Sequence, residues 1–122
     1  MEKKTDLNAL NIYALLQMLR NDPRLKGLKK SGKNGHLNFM YYELDDFMPA
    51  ATELFAEYGI CPVFRIEVEP NGIEYAYLTL IRDNEQIIFK VPTADPTGNN
   101  PIQQLGSKIT YMRRYLYIIA MD

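Results

Sequence analysis

From Cys61 the apolar period of the sequence changes to two, and this change restricts the centre of the chain more than any other feature. Phe64, Ile66 and Val68 fall on one side and Arg65, Glu67 and Glu69 on the other, the pattern of a half-buried strand. Pro70-Asn71-Gly72 follows. Asn-Gly readily takes the positive φ angles of a type I′ turn, so Ile73 to Arg82 is predicted to fold back as a partner strand. Asp83-Asn84-Glu85 turns the chain again, and Gln86 to Val91 supplies a third strand. Such an antiparallel meander has one apolar face, which needs a helix to cover it.

Helical spacing on both sides supplies that cover. Leu7, Leu10, Ala14 and Leu16 predict a helix to about Arg20, with Thr5 or Asp6 as N-cap and Asn21-Asp22-Pro23 as its end. Leu44, Phe47, Met48, Ala51, Leu54, Phe55 and Tyr58 mark a second helix, with Asp45 or Asp46 as N-cap and Gly59 at C′. Pro49 is expected in its first turn, where a missing N–H is harmless, and Glu53 and Glu57 on its solvated side. Asn100 and Pro101 open a last helix whose predicted buried stripe is Ile102, Leu105, Ile109, Met112, Leu116 and Ile119. Between the first two helices, Gly27, Gly32 and Gly35 punctuate a basic mobile loop, and His36 to Tyr42 reads as a strand or extended edge. A length of 122 residues leaves room for one core. The expectation is therefore α+β, a single domain over residues 1–122, with an antiparallel three- to four-stranded meander packed by helices.

Several function classes drop out. The longest apolar stretch, Tyr115 to Met121, is far short of the roughly 20 residues of a membrane span, and the start, Met1-Glu-Lys-Lys-Thr-Asp6, lacks a signal-peptide run. A cytoplasmic protein with no membrane partner is expected. One cysteine, Cys61, and one histidine, His36, allow neither an internal disulfide nor structural zinc, and Cys61 reads as a small buried hydrophobe. Gly27-Leu-Lys-Lys-Ser-Gly-Lys-Asn34 imitates a phosphate-binding loop, but Asn34 stands where a hydroxyl must reach magnesium, and a helix rather than a strand precedes it. The carboxylate pairs Asp45/Asp46 and Glu67/Glu69 are explained by helix capping and by the wet side of a strand. No catalytic constellation, metal or cofactor is expected, and the chain does not read as an enzyme.

A net charge of −1 hides a segregation along the chain. Residues 20–33 carry Arg20, Arg24, Lys26, Lys29, Lys30 and Lys33 against Asp22 alone. Residues 43–85 carry ten carboxylates against Arg65 and Arg82. From Pro101 to Ala120 there are Lys108, Arg113 and Arg114 and no acid. A mildly acidic protein of this design presents a basic face.

At 100° per residue, Gln103, Ser107, Thr110 and Arg114 share one narrow stripe of the last helix, and Lys108, Tyr111 and Tyr115 flank it. Phosphate oxygens need cations and donors, while unstacked bases need rings or guanidinium planes, and this expected carboxylate-free surface offers both. The other reading is a helix that packs its tyrosines into the core and solvates its arginines. Tyr75 and Tyr77, on one sheet face with Ile73, suit sheet positions and protein interfaces as well as base stacks.

The run Gln103-Gln104-Leu105-Gly106-Ser107-Lys108-Ile109-Thr110-Tyr111-Met112-Arg113-Arg114-Tyr115 resembles the signature of the Erf (essential recombination function) family, which sets Gly-Ser before Thr-Tyr and then an Arg-Tyr pair on a helix after a Gly/Asn/Pro loop. The order of elements over roughly residues 8–120 is also similar. The resemblance implies a phage or prophage single-strand annealing protein whose β-β-β-α core is similar to that of the eukaryotic annealing mediators. It implies an ATP-independent recombinase that binds single-stranded DNA, pairs complementary strands, and forms a homo-oligomeric ring or helical filament. Gly106, Ser107, Thr110, Tyr111, Arg113, Arg114 and Tyr115 become candidates for ring packing and DNA contact. With the basic loop and the rest of the stripe, the expected nucleic-acid-binding set is Lys29, Lys30, Lys33, Gln103, Ser107, Lys108, Thr110, Tyr111, Arg113, Arg114 and Tyr115. Many relatives continue into a flexible C-terminal region for partners, which this sequence lacks, so a host single-strand binding protein is an optional partner. The acidic segment from Glu43 to Glu85 is expected to face away from DNA or to pair with a neighbouring copy's basic loop. The rival from another class is a non-catalytic protein-interaction domain that docks a replication or recombination partner through its tyrosines.

Overall fold

A computed structural model describes residues 9–34, 39–95 and 100–122. Its elements, in chain order, are α1 (Ile12–Arg20), a short α2 (Pro23–Lys26), β1 (Gly32–Asn34), β2 (Phe39–Tyr41), α3 (Leu44–Glu57), β3 (Cys61–Val68), β4 (Glu74–Arg82), β5 (Glu85–Pro92) and α4 (Pro101–Met121). The period-two segment forms the expected antiparallel meander, ordered β3-β4-β5, and β1 and β2 pair as a separate two-stranded sheet. The fold is α+β, with a β-β-β-α core.

Alternation along β4 decides where the core lies. Ala76, Leu78 and Leu80 face inward and join Leu15 and Leu19 of α1, Phe47, Ala51, Leu54 and Phe55 of α3, and Met112, Leu116 and Ala120 of α4 in one buried cluster. Burial of such side chains contributes about 1.5–3 kcal/mol each, which is why helices of modest propensity hold their places. The opposite parity places Arg65, Tyr77 and Lys90 side by side across the sheet. There the Arg65 guanidinium lies 4.1 Å from the Tyr77 ring centroid, and the Tyr77 hydroxyl donates to Glu69, which also binds Lys90. The same parity exposes Cys61, the first residue of β3, contrary to the buried role its Cys-Pro setting suggested.

Chain ends and turns differ from expectation in instructive ways. Asn11, whose Oδ1 accepts the Ala14 N–H at 2.9 Å, caps α1; Thr5 and Asp6 lie outside the described residues, as does His36. Asp22 caps α2, so part of the expected mobile loop is helical. The N-cap of α3 is Glu43 rather than Asp45 or Asp46; Asp46 instead accepts the Glu43 N–H at 2.8 Å from the third helical position, in a capping box. Pro49 is the sixth helical residue, one turn deeper than expected, and the carbonyl it leaves unpaired, that of Asp45, belongs to an exposed residue. The β3–β4 turn is not type I′. Only Gly72 has positive φ (81°), and the Gly72 N–H bonds the Glu69 carbonyl while Glu69 N–H bonds Ile73 O. Pro70 takes the first loop position with its own restricted φ, and Asn71 Oδ1 accepts the Ile73 N–H at 2.9 Å, giving a three-residue loop with a glycine bulge.

The largest departure concerns α4. Its C-terminal half is buried through Met112, Leu116, Tyr117 and Ala120, but Ile102 is 83% and Leu105 56% exposed, and Ile119 is also exposed. A 21-residue helix is about 31 Å long and overhangs the core. Phe64, Ile66, Leu105 and Ile109 consequently line an open groove rather than a closed layer. Arg20 Nε donates to the Ala120 carbonyl at 2.9 Å, fastening the far end of α4 to α1. Among the described residues, no helix is long and apolar enough to cross a membrane.

Candidate nucleic-acid interface

The helical repeat of α4 carries Gln103, Ser107 and Thr110 along one exposed line that ends at Arg114. Beside it, Tyr111 and Tyr115 are each 48% exposed and stand one turn apart with nearly parallel rings, 12° between planes and 6.4 Å between centroids. The Arg114 guanidinium lies 5.2 Å from the centre of the Tyr111 ring and 3.7 Å from a Glu43 carboxylate oxygen. These tyrosines are therefore outside the core, as the binding reading requires, while Tyr117 is the aromatic that α4 buries, tilted against Phe47 and Phe55.

Glu43 links this stripe to the basic segment. It follows Tyr42, over whose ring the Lys30 ammonium sits at 5.3 Å, and Lys30 and Tyr42 line one groove with Ile118, a turn beyond Arg114 on α4. Sequence-distant residues are thus joined in one track, Lys30 to Tyr42 and, through the neighbouring Glu43 carboxylate, to Arg114, Tyr111 and Tyr115, extended along the helix by Thr110, Ser107 and Gln103. Lys29 and Lys33 are exposed on the loop and on β1 beside it. The turn that presents the loop is held by Asp46, whose Oδ2 accepts from the Ser31 hydroxyl (2.8 Å), the Ser31 amide (2.9 Å) and the Glu43 amide. Those bonds, the Ser31 hydroxyl first, hold the Asp46 carboxyl below its ordinary pKa.

Two expected members stand apart from the track. Lys108 turns toward the sheet, where its ammonium binds Glu74 and lies 3.3 Å from Asp95, with only 15% of its side chain exposed. Its pKa is raised, by the Glu74 hydrogen bond above all, and that of Glu74 is lowered by Lys108 and then by Thr93. This helix flank is therefore not free of carboxylates, because β4 and the β5–α4 connection bring acids that the local sequence of α4 does not contain. Arg113 is half-buried on the core side, where it opposes the burial that raises the Tyr117 pKa. Arg24 is likewise committed, bridging Asp22, Glu53 and Glu57 at 2.8–3.1 Å, so the acidic face of α3 is neutralised in part within the chain itself.

Tyr42 and Glu43 were not among the expected site residues. The Tyr41-Tyr42 doublet was visible as an aromatic excess, but the approach of Tyr42 to Lys30 and α4 has no signal in the local sequence. Among the described residues, no group of three or more His, Cys, Asp or Glu side chains is placed to hold a metal ion.

No curated protein and no solved structure matches the chain. The family model described as ERF superfamily matches residues 13–121, nearly the whole sequence from α1 to the end of α4. The chain belongs to the ERF superfamily.

Proposed function

We propose that this protein is an ATP-independent single-strand annealing protein, which binds single-stranded DNA along the α4 stripe and its Lys30–Tyr42 extension and promotes pairing of complementary strands. The observation that carries the reading is the track itself: two cations alternate with three accessible tyrosine rings over sequence-distant segments, beside a line of uncharged donors. Rings receive bases of any identity, and cations hold the phosphates without reading sequence. Bases held by the backbone remain open to a second strand, whose own pairing then supplies specificity. No bond is made or broken, so neither nucleotide hydrolysis nor a metal is required.

From Gln103 to Ile118 the helix offers about 22 Å of surface, too little for one subunit to sustain a long heteroduplex. Annealing then requires several copies in a row. The exposed Ile102 and Leu105, with Gly106 facing open space beside them, supply an apolar surface for such packing in a ring or filament. The test mixes complementary oligonucleotides with the protein in the absence of ATP, alongside light scattering and electron microscopy with and without single-stranded DNA. Accelerated duplex formation by an oligomer supports the proposal. A monomer at micromolar concentration in both conditions, or DNA affinity independent of salt, overturns it in favour of a protein-docking domain.

A further inference from the structure

Beyond the DNA track, an open groove of about 550 Å³ runs between the α2–β1 segment and the C-terminal end of α4. Its apolar lining includes Leu25 and Leu28 from one side and Ile118 and Met121 from the other, with Met40, itself 48% exposed, between them. Its polar rim is cationic. Arg20, Lys26 and Lys30 line it against one acidic residue, Asp122. Asp122 and the C-terminal carbonyls of α4 sit at one end, where Arg20 already binds the Ala120 carbonyl.

We infer that this groove docks an acidic, amphipathic peptide segment of a partner protein. Three features select that class. The volume lies in the range of pre-formed ligand sites. The lining is aliphatic and rich in methionine, side chains that repack around apolar residues of varied shape. The excess of cations calls for an anionic partner. Nucleic acid satisfies the charge but not the floor, since bases seek flat rings or guanidinium planes. Past the Lys30–Tyr42 rim that the DNA track shares, the groove's lining offers no accessible ring, Phe47 being buried, and the Arg20 guanidinium is bonded to the Ala120 carbonyl. The end occupied by Asp122 disfavours acids, so the peptide's carboxylates belong at Lys26 and Lys30 and its apolar side chains near Met40 and Met121. Lys30 and Tyr42 belong both to this groove and to the track, so a bound peptide competes with DNA there.

The test uses fluorescence anisotropy of the full chain with a labelled, capped peptide, Glu-Glu-Asp-Glu-Leu-Leu-Met-Leu, and separately with a labelled short oligo-dT strand. Saturable peptide binding is expected, lost when the apolar residues become serine or the acids become their amides. Lys26→Gln and Met40→Ser, both at exposed positions, should each weaken peptide binding by about tenfold, weaken oligo-dT binding by much less, and leave the circular dichroism spectrum unchanged. Absence of peptide binding, or binding indifferent to both substitutions, overturns the inference. Equal losses of peptide and oligo-dT binding also overturn it, by assigning the groove to nucleic acid. Failure of oligo-dT to bind the wild type bears on the annealing proposal alone.

Discussion

Lys108→Met separates a DNA-binding role of α4 from a structural one. In the folded chain the Lys108 ammonium is held by Glu74 and Asp95, and Glu74 is bonded in addition by the Thr93 hydroxyl at 2.7 Å. Methionine preserves the apolar stem and removes the charge, leaving Glu74 with Thr93. Hydrogen bonds to charged groups contribute about 1.5–3 kcal/mol, whereas fully exposed ion pairs contribute about 0–1. With the Lys108 side chain 15% and Glu74 35% exposed, solvent screening places the loss between these limits, at about 1–2 kcal/mol. For a domain of this size each kcal/mol moves Tm by roughly 3–6 °C, so calorimetry should record a fall of about 3–12 °C. Glu74 has a depressed pKa in the folded state. Its contribution is present above the ordinary glutamate value and is lost as pH falls through the depressed one, so the wild-type advantage should shrink in acid. Oligo-dT affinity and its salt slope should not change, because an ammonium already neutralised by two carboxylates releases no counterion from phosphate. A variant that keeps its Tm but binds DNA with a shallower salt slope would show that Lys108 leaves Glu74 for the nucleic acid, and would refute this reasoning.

Arg114→Ala should weaken oligo-dT binding with the fold retained in circular dichroism, and lower the magnitude of the single-strand salt slope by at most about 0.7, since Glu43 shares the guanidinium. Removing a ring with Tyr111→Ala should cost about 1–3 kcal/mol of oligo-dT affinity, whereas Tyr111→Phe should preserve binding in anisotropy titrations. Ile102→Glu combined with Leu105→Glu should abolish assembly in light scattering without lowering Tm, since both side chains are exposed in the single chain. Leu116→Ala, at a fully buried position, should destabilise by about 2–5 kcal/mol in urea titrations. Asp46→Asn should flatten the acid limb of stability against pH, because the depressed Asp46 carboxyl stabilises the fold above its ordinary pKa and loses that effect as pH falls through the folded value.

The meander, the long last helix and the pairing of Gly59 with a helix end were legible because each depends on short-range rules. Alternation survives any packing partner, and Asn100-Pro101 starts a helix through its own hydrogen bond and restricted φ. Gly59 (φ +70°) closes α3 in a conformation that costs other residues a steric penalty. The Gln103, Ser107, Thr110, Arg114 stripe follows from the same periodicity. Cap identity was harder, since Glu43 competes with two adjacent aspartates and the contest depends on Ser31, fifteen residues away from Asp46.

Local sequence by itself determined the three long helices and the three-stranded meander, and their order, because backbone sterics and hydrophobic period act over a few residues; it did not determine α2 or β1, which lie in the expected loop, or the buried side of α1, which is Ile12, Leu15, Leu16 and Leu19. It did not determine which apolar positions are covered. Ile102 and Leu116 share one predicted stripe, yet one is solvated and the other buried, because only the assembled sheet sets where the core ends. Nor did it determine which cations are available. Lys108 and Lys30 are equally basic in isolation, but folding brings Glu74 to the first and a tyrosine ring to the second. Charge pairing acts through space, and tertiary structure alone decides which charges meet.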